Sequence, residues 1–236
     1  MPAAILFLLL LWVFSGCTVR YYPKDLVDFS QYHDGPIPPD VAQWLKSGSQ
    51  TRVTPPIQAV ATKLSAETRR ERLYNAVQYV WSQMHYDRWL NSQMFTRTAD
   101  ELFREKVLGG CSDFALAEVA LFRALDIPSR LVVTANVDWM LRYQKDPLFL
   151  TTGHVFIEVF LEDKWFLVDS TYRFLFSDYD LKRKSYPRRE YLCVKGTDYW
   201  EMGFTEVALF IEKAGVLARG FQEVRYRDPG YPQQKI

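Results

Sequence analysis

The sequence is short of cysteine and histidine, three of each in 236 residues, and it carries almost no surplus of charge. Each shortage removes a class of function. Three cysteines cannot build a disulfide framework, and His33, His85 and His154 are too scattered to offer paired metal-ligand spacing. Neither a metal nor a cofactor is expected. The 29 Lys and Arg nearly cancel the 28 Asp and Glu, leaving a net charge of +1, so no overall field draws nucleic acid or a strongly acidic partner. The apolar run Ala3 to Phe14 is too short to span a bilayer, but it is long enough for the hydrophobic region of an export signal.

What is present is apolar surface. The chain is 48% hydrophobic, enough at this length for one sizeable core, and its seven Trp and fourteen Tyr can serve a groove as well as an interior. Residues 1–17 read as a signal peptide. Their end, "FSGC", resembles a bacterial lipobox with Cys17 as the lipidated residue, although Phe14 stands where Leu is usual and no Lys or Arg precedes the apolar run. That resemblance implies an exported protein of the cell envelope or periplasm, tethered to a membrane surface by lipid on Cys17. Residues 18–37, rich in Pro, Tyr and Asp, read as an extended tether, and residues 38–236 as a single domain.

Helical spacing begins near Pro38, with helices expected over Asp40 to Lys46, Pro55 to Leu64, a longer one after Ser65, and Thr98 to Leu108. In the third, Ser65, Glu67 and Thr68 offer N-terminal capping, and Leu73, Val77, Val80, Trp81 and Met84 mark a buried face. Gly109 and Gly110 then reset the chain, and Cys111 opens a helix whose apolar stripe includes Phe114, Ala117, Leu121 and Leu125 until Pro128 stops it. A thiol at that place is chemically marked. The partial positive charge of the helix N-terminus stabilises a thiolate, and the same free N–H groups can receive an oxyanion. Cys193, in the strand-like "EYLCVKG", reads instead as buried and inert.

Downstream, "SRLVVTANV" is a β-branched strand and "HVFIEVFLEDKWFLVDST" a hairpin. Alternation places His154, Phe156, Glu158 and Phe160 on one face and Val155, Ile157, Val159 and Leu161 on the other. If Glu162-Asp163 is the turn, Leu161 faces Lys164 and Asp169 falls opposite Phe156. His154 and Asp169 are then diagonal neighbours on one face, with Cα atoms about 7–8 Å apart. The carboxylate can fix the imidazole's tautomer and stabilise the imidazolium formed when Cys111 loses its proton.

These residues resemble the transglutaminase-like family, a branch of the papain-like cysteine enzymes. The matching pieces are "RTADELF", "GGCSDFALAEVALFRALDIPSRLV" and "GHVFIEVFLEDKWFLVDST", a core of residues 97–171. The resemblance implies an α+β fold in which the Cys helix sits against an antiparallel sheet bearing His and Asp. It also implies a triad with Cys111 as nucleophile, His154 as general base and later acid, and Asp169 as its orienting partner. Asp126 stands where the family commonly has Gly, and "VDST" replaces a frequent Asp-Pro. Trp89, Asn91 and Gln93 are the upstream candidates for an oxyanion side chain. Such a triad forms a thioester acyl-enzyme from a peptide or protein amide and passes the acyl group to water or to an amine; hydrolysis is the expectation, since nothing marks an amine site. The loop Asn136 to Gly153, with Trp139, Arg142 and Tyr143, is expected to overhang the groove. A second reading is a catalytically silent binding or scaffolding module, its support the basic run Lys182 to Arg189.

Overall fold

Helix α5, Cys111–Ala124, is buried along nearly its whole length, including the polar Ser112, Asp113, Glu118 and Arg123. It is the centre of the molecule in a computed structural model that describes residues 28–236. The expected apolar stripe is therefore too narrow: helices cover one side of α5 and the sheet covers the other. The expected signal peptide, Cys17 and the first part of the tether lie outside the described residues. The described part of that tether is docked, because both oxygens of Asp34 accept the Arg69 amide (3.0 and 2.9 Å) and one accepts the Arg72 guanidinium at 2.9 Å. Among the described residues, no helix is long and apolar enough to cross a membrane.

The helices that surround α5 start where their caps dictate. Helix α1 is short, Pro39–Ala42, and runs on as a 3-10 turn over Gln43–Leu45. Helix α2, Pro55–Leu64, begins with proline in its first turn, where the missing N–H is harmless. Helix α3, Arg69–Gln83, is capped by the Thr68 hydroxyl, which accepts the Glu71 amide at 3.2 Å. Helix α4, Ala99–Glu105, carries a reciprocal capping box between Thr98 and Glu101. It stops three residues before the expected Leu108. Lys106 turns left-handed (φ 59°), and Val107–Leu108 leave as strand β2, pairing in parallel with strand β1, His85–Tyr86.

The main sheet is antiparallel, with seven strands among the described residues. In chain order they are β3 Ser129–Asn136, β4 Gly153–Leu161, β5 Lys164–Asp169, β6 Phe174–Phe176, β7 Ser185–Tyr186, β8 Glu190–Gly196 and β9 Gln233–Lys235. Their spatial order is β7-β8-β3-β4-β5-β6-β9. The β4–β5 register is the expected one, with Leu161 opposite Lys164 and Phe160 opposite Trp165. Its cause is local: Glu162 and Asp163 both take positive φ (49° and 62°), the two-residue turn whose twist matches a hairpin. One face of the sheet, with Val133, Val155, Ile157 and Val159, joins the core around α5. The other buries Val132, Phe156, Leu167, Phe176 and Tyr186, and beside them Glu158 is held by Arg130, Lys195 and Tyr179.

Two helices complete the molecule. Helix α6, Val137–Tyr143, and helix α7, Val207–Arg219, contact each other. Near α5 a buried ion pair ties three distant parts of the chain. Arg123 lies 3.7 Å from Asp198 and donates to the carbonyls of Ser129 and Thr197, both at 3.0 Å. Asp198 in turn accepts the Gln50 amide and the Thr51 hydroxyl, both at 2.6 Å.

Removing one member of a buried pair strands the other charge, which costs far more than losing a surface pair. Arg123→Met is expected to lower unfolding free energy by about 3–5 kcal/mol in urea titrations. Arg104→Ala, which breaks the exposed pair with Asp100, should cost about 0.5 kcal/mol or less.

Candidate active site

The site begins with two glycines that no other residue could replace without movement. A Cβ on Gly109 would lie 2.6 Å from the carbonyl oxygen of Leu90, and one on Gly110 would lie 2.4 Å from Oδ1 of Asn91. Gly110 is the N-cap of α5, so Cys111 takes the first helical position, half-exposed, with N–H groups of the first turn free of intrahelical partners. Asp113 locks the turn. One of its oxygens accepts the Gly109 amide at 2.6 Å and the Arg97 guanidinium, which also donates to the Val107 carbonyl at 3.0 Å. Burial raises the Asp113 carboxyl above its ordinary range, against the opposing pull of Arg97 and the Gly109 amide. From the far side, the Tyr199 hydroxyl donates to the Ser112 carbonyl at 2.9 Å.

His154 is the second residue of β4 and Asp169 the last of β5. Nε2 of His154 lies 2.9 Å from Oδ1 of Asp169, and Cys111 and His154 line the same groove. With Nε2 engaged by the carboxylate, Nδ1 is the nitrogen left for the thiol. Burial alone would depress the imidazole, but the charge and hydrogen bond of Asp169, with a smaller contribution from Cys111, outweigh it and raise the pKa from 6.5 to about 10. Phe156 meets the ring edge-on at 4.7 Å, and the Thr134 hydroxyl lies 3.0 Å from the His154 backbone carbonyl. Asp169 is fully buried, and its Oδ1 also accepts the Tyr172 amide at 3.1 Å.

Two further carboxyls crowd this pair. Glu118, two turns along α5 from Cys111, accepts the Ser170 hydroxyl at 2.6 Å; burial lifts its pKa from 4.5 to about 8, with the Asp169 charge adding to the rise. Glu190 accepts the Thr134 hydroxyl at 2.8 Å and the Asn136 amide at 3.2 Å, and burial raises it as well. The remaining cysteine is chemically distinct, since burial pushes the Cys193 thiol up to about 12 and leaves it protonated at neutral pH.

The thiol and imidazole open into a groove of ≈ 620 Å³. Asn91 is the one oxyanion candidate on its wall. The short 3-10 turn Arg88–Gln93 repeats every three residues, so Asn91 and Met94 face the groove and Leu90 backs onto Gly109. Trp89 is displayed to solvent beside the Arg88 guanidinium, and Gln93 is exposed away from the groove; both expectations are corrected.

The expected substrate loop is also different from its reading. Asn136 accepts the Asp138 and Trp139 amides at 3.0 and 3.2 Å and so starts helix α6. Trp139 is 1% exposed, in the core, with the Tyr143 ring tilted against it 5.0 Å away and packed on Gly215 of α7. Arg142 lies over the Phe149 ring at 5.2 Å. None of the three reaches the groove; Leu150, Thr151 and Thr152 of the same loop do. Trp81, expected in the core, is 36% exposed on the groove wall and donates its indole N–H to the Ser170 carbonyl at 2.9 Å, next to Asp169. Val207, Phe210 and Ile211 of α7 form another stretch of wall that no sequence motif announced, although their spacing is that of an amphipathic helix.

The basic run is mostly spoken for. Arg183 donates to the Pro229 carbonyl at 2.9 Å, and Arg189 pairs with Asp138 and Glu223, both at 2.9 Å. Arg188, left-handed at φ 66°, stacks 3.5 Å over the Tyr172 ring, donates to its hydroxyl at 2.7 Å and approaches Asp169 to 3.7 Å.

No curated protein matches the chain. Among solved structures, the chain superposes on an inferred cysteine protease from Cytophaga hutchinsonii with a TM-score of 0.50 and 20% identity, over 70% of this chain and 49% of that one. It also matches a structure described as a TGase at 17% identity and a TM-score of 0.34, over 64% of this chain and 34% of that one. The chain thus spans about half the length of the first and a third of the second. Residues 58–170 match the transglutaminase-like superfamily model, from within α2 to the residue after Asp169. A helix headed by cysteine against an antiparallel sheet is the α+β arrangement this chain shares with the first of these structures, and residues 58–170 are the part similar to the transglutaminase-like superfamily.

Proposed function

We propose that the chain is a cysteine-dependent amide hydrolase or acyltransferase in which Cys111, His154 and Asp169 act as a triad. The observation that carries this is the buried His154–Asp169 pair at 2.9 Å with Cys111, at the head of α5, lining the same groove as the imidazole. Cys111 first passes its proton to Nδ1 of His154, whose raised pKa retains it, and the sulfur then attacks an amide carbonyl, forming the S–C bond as the carbonyl electron pair moves to oxygen. The oxyanion lies at the start of α5, where the Cys111 amide and the side chain of Asn91 are the donors at hand. The imidazolium then gives its proton to the leaving nitrogen as the C–N bond breaks, and a thioester remains. Water attacks that thioester with His154 as base, releasing an acid and the free thiol; an amine in place of water gives acyl transfer. Hydrolysis is the simpler outcome, because water reaches a half-exposed thiol without a dedicated site.

Export and lipid anchoring at Cys17 remain part of the proposal, supported by the apolar run and "FSGC". The silent-module reading loses its main support, since Arg183, Arg188 and Arg189 are engaged by carboxylates of this chain.

Cys111→Ala should lower turnover of peptide p-nitroanilides by roughly 10⁴-fold or more, and Asp169→Asn by roughly 10²–10⁴-fold with KM little changed. Undiminished turnover in Cys111→Ala would end the proposal. Iodoacetamide at neutral pH should label Cys111 well ahead of Cys193, as read by peptide mass spectrometry.

The pair also sets a stability signature. The imidazole's pKa is raised on folding, from 6.5 to about 10, so its contribution is complete below pH 6.5 and is lost as pH rises through 10. In a Glu118→Gln background, which removes the carboxyl lifted to about 8, urea midpoints should show the Asp169→Asn penalty shrinking steadily between those two pH values. A penalty independent of pH would mean that His154 does not bind its proton through Asp169.

A further inference from the structure

We propose that the groove takes an uncharged peptide segment, and that the residue whose carbonyl meets Cys111 carries an aromatic or branched aliphatic side chain. This rests on the acyl-transfer reading of the same site. Charged residues make up 24% of the chain, yet among the described residues no Lys, Arg, Asp or Glu lines the groove. Its walls are Trp81, Tyr86, Phe95 and Phe114 from the helical side and Phe210 and Ile211 from α7, with Asn91, Thr151, Thr152 and Thr171 as the uncharged polar side chains besides Cys111 and His154. A substrate ammonium placed there would lose hydration and meet no opposite charge, and a carboxylate would find only the His154 imidazolium, whose charge Asp169 already answers, whereas an apolar side chain gains by leaving water.

The rim makes the case more specific. Leu150 and Ile211 are 84% and 41% exposed, and Trp81 joins them, so large apolar side chains are held in water beside the thiol. A cluster of this kind next to a nucleophile marks a contact surface rather than scattered surface hydrophobes. The wall behind the rim is rigid. Phe210 is buried against Phe95 (5.8 Å), and a Cβ on Gly153, the residue before His154, would lie 2.8 Å from its ring. The groove volume of ≈ 620 Å³ falls within the range of small-ligand sites, about 300–1,000 Å³, and admits more than one side chain. Helix α7 lies beyond residues 58–170, so this wall belongs to the chain's own extension of the shared core.

Short peptide aldehydes test this without requiring the right leaving group. The Cys111 sulfur adds to the aldehyde carbon, the thiol proton goes to the aldehyde oxygen, and the reversible adduct shields Cys111 from iodoacetamide. Peptides ending in Phe or Leu aldehyde should protect the full chain at concentrations roughly 10- to 100-fold below those ending in Asp or Lys aldehyde. Ile211→Asp should weaken protection by the Phe aldehyde and strengthen protection by the Lys aldehyde, with its thermal midpoint recorded to check folding. Equal protection by all four would overturn the apolar preference while leaving the triad intact. If octanal protects as well as the Phe peptide, the occupant is an acyl chain and the peptide assignment is overturned. If no aldehyde protects and Cys111→Ala leaves turnover unchanged, the acyl-transfer reading itself has failed.

Discussion

A carboxylate sealed from water at the end of a strand needs a cation, and around Asp169 the arrangement of the site follows from that need. A buried charge is tolerated only when paired and hydrogen-bonded. Asp169 has the His154 ring at 2.9 Å and the Tyr172 amide at 3.1 Å, while the Arg188 guanidinium stands at 3.7 Å, outside hydrogen-bonding distance. The imidazole is thus the group that answers the charge, and it does so by holding a proton well above its ordinary range. The same demand that satisfies the fold leaves His154 with a proton to give. Orientation comes with it, since the nitrogen bound to Asp169 commits the other to the thiol.

The neighbouring carboxyls sharpen this division. Glu118 and Glu190 are buried too, but among the described residues neither is given a cation at hydrogen-bonding distance; each accepts hydroxyl or amide donors, and burial raises both. Glu118, lifted to about 8, is largely neutral near pH 7. Environments that push neighbouring carboxyls apart in this way separate a charge-bearing role from a hydrogen-bonding one. A negative charge on Glu118 would compete for the imidazolium's field from within the same helix that carries Cys111. Its suppression leaves Asp169 as the carboxylate whose charge holds the His154 proton.

Local chemistry was the legible part. The hairpin register followed from two residues able to take positive φ, and once it is set, period-two alternation brings His154 and Asp169 to one end of one face. Asp126 could be read in the same way: it sits at φ 59°, a conformation that explains why glycine is common there and that Asp tolerates better than most residues. What stayed hidden depended on tertiary partners. Trp81 fits the apolar spacing of α3, and only the position of Ser170 shows that its indole reaches out to the groove instead of inward. Asn136 is an ordinary loop residue until its side chain caps α6, and that cap carries Trp139 and Tyr143 into the core against α7. The basic run looked like a free surface because its acidic partners, Asp138, Asp169 and Glu223, lie far away in sequence.

The distribution of these contacts along the chain separates reactivity from its setting. All three triad candidates fall within residues 58–170, on the helix and hairpin that define the shared core. The groups that hold the core in place come largely from either side. Gln50 and Thr51 upstream and Asp198 downstream converge on Arg123 of α5. Tyr199, the residue after Asp198, reaches the Ser112 carbonyl in the first turn of the same helix. The helix that presents the thiol is therefore gripped at both ends by segments that contribute none of the triad candidates. α7 closes one wall of the groove from the same downstream segment, anchored by Phe210 against Phe95 and Phe204. Such an arrangement lets the surface facing the substrate change without moving the sulfur, imidazole and carboxylate, because they hang from different parts of the scaffold. The apolar character of this groove is accordingly a property of the flanking segments joined to the core, and it is there that related chains with the same hairpin and helix can differ in what they accept.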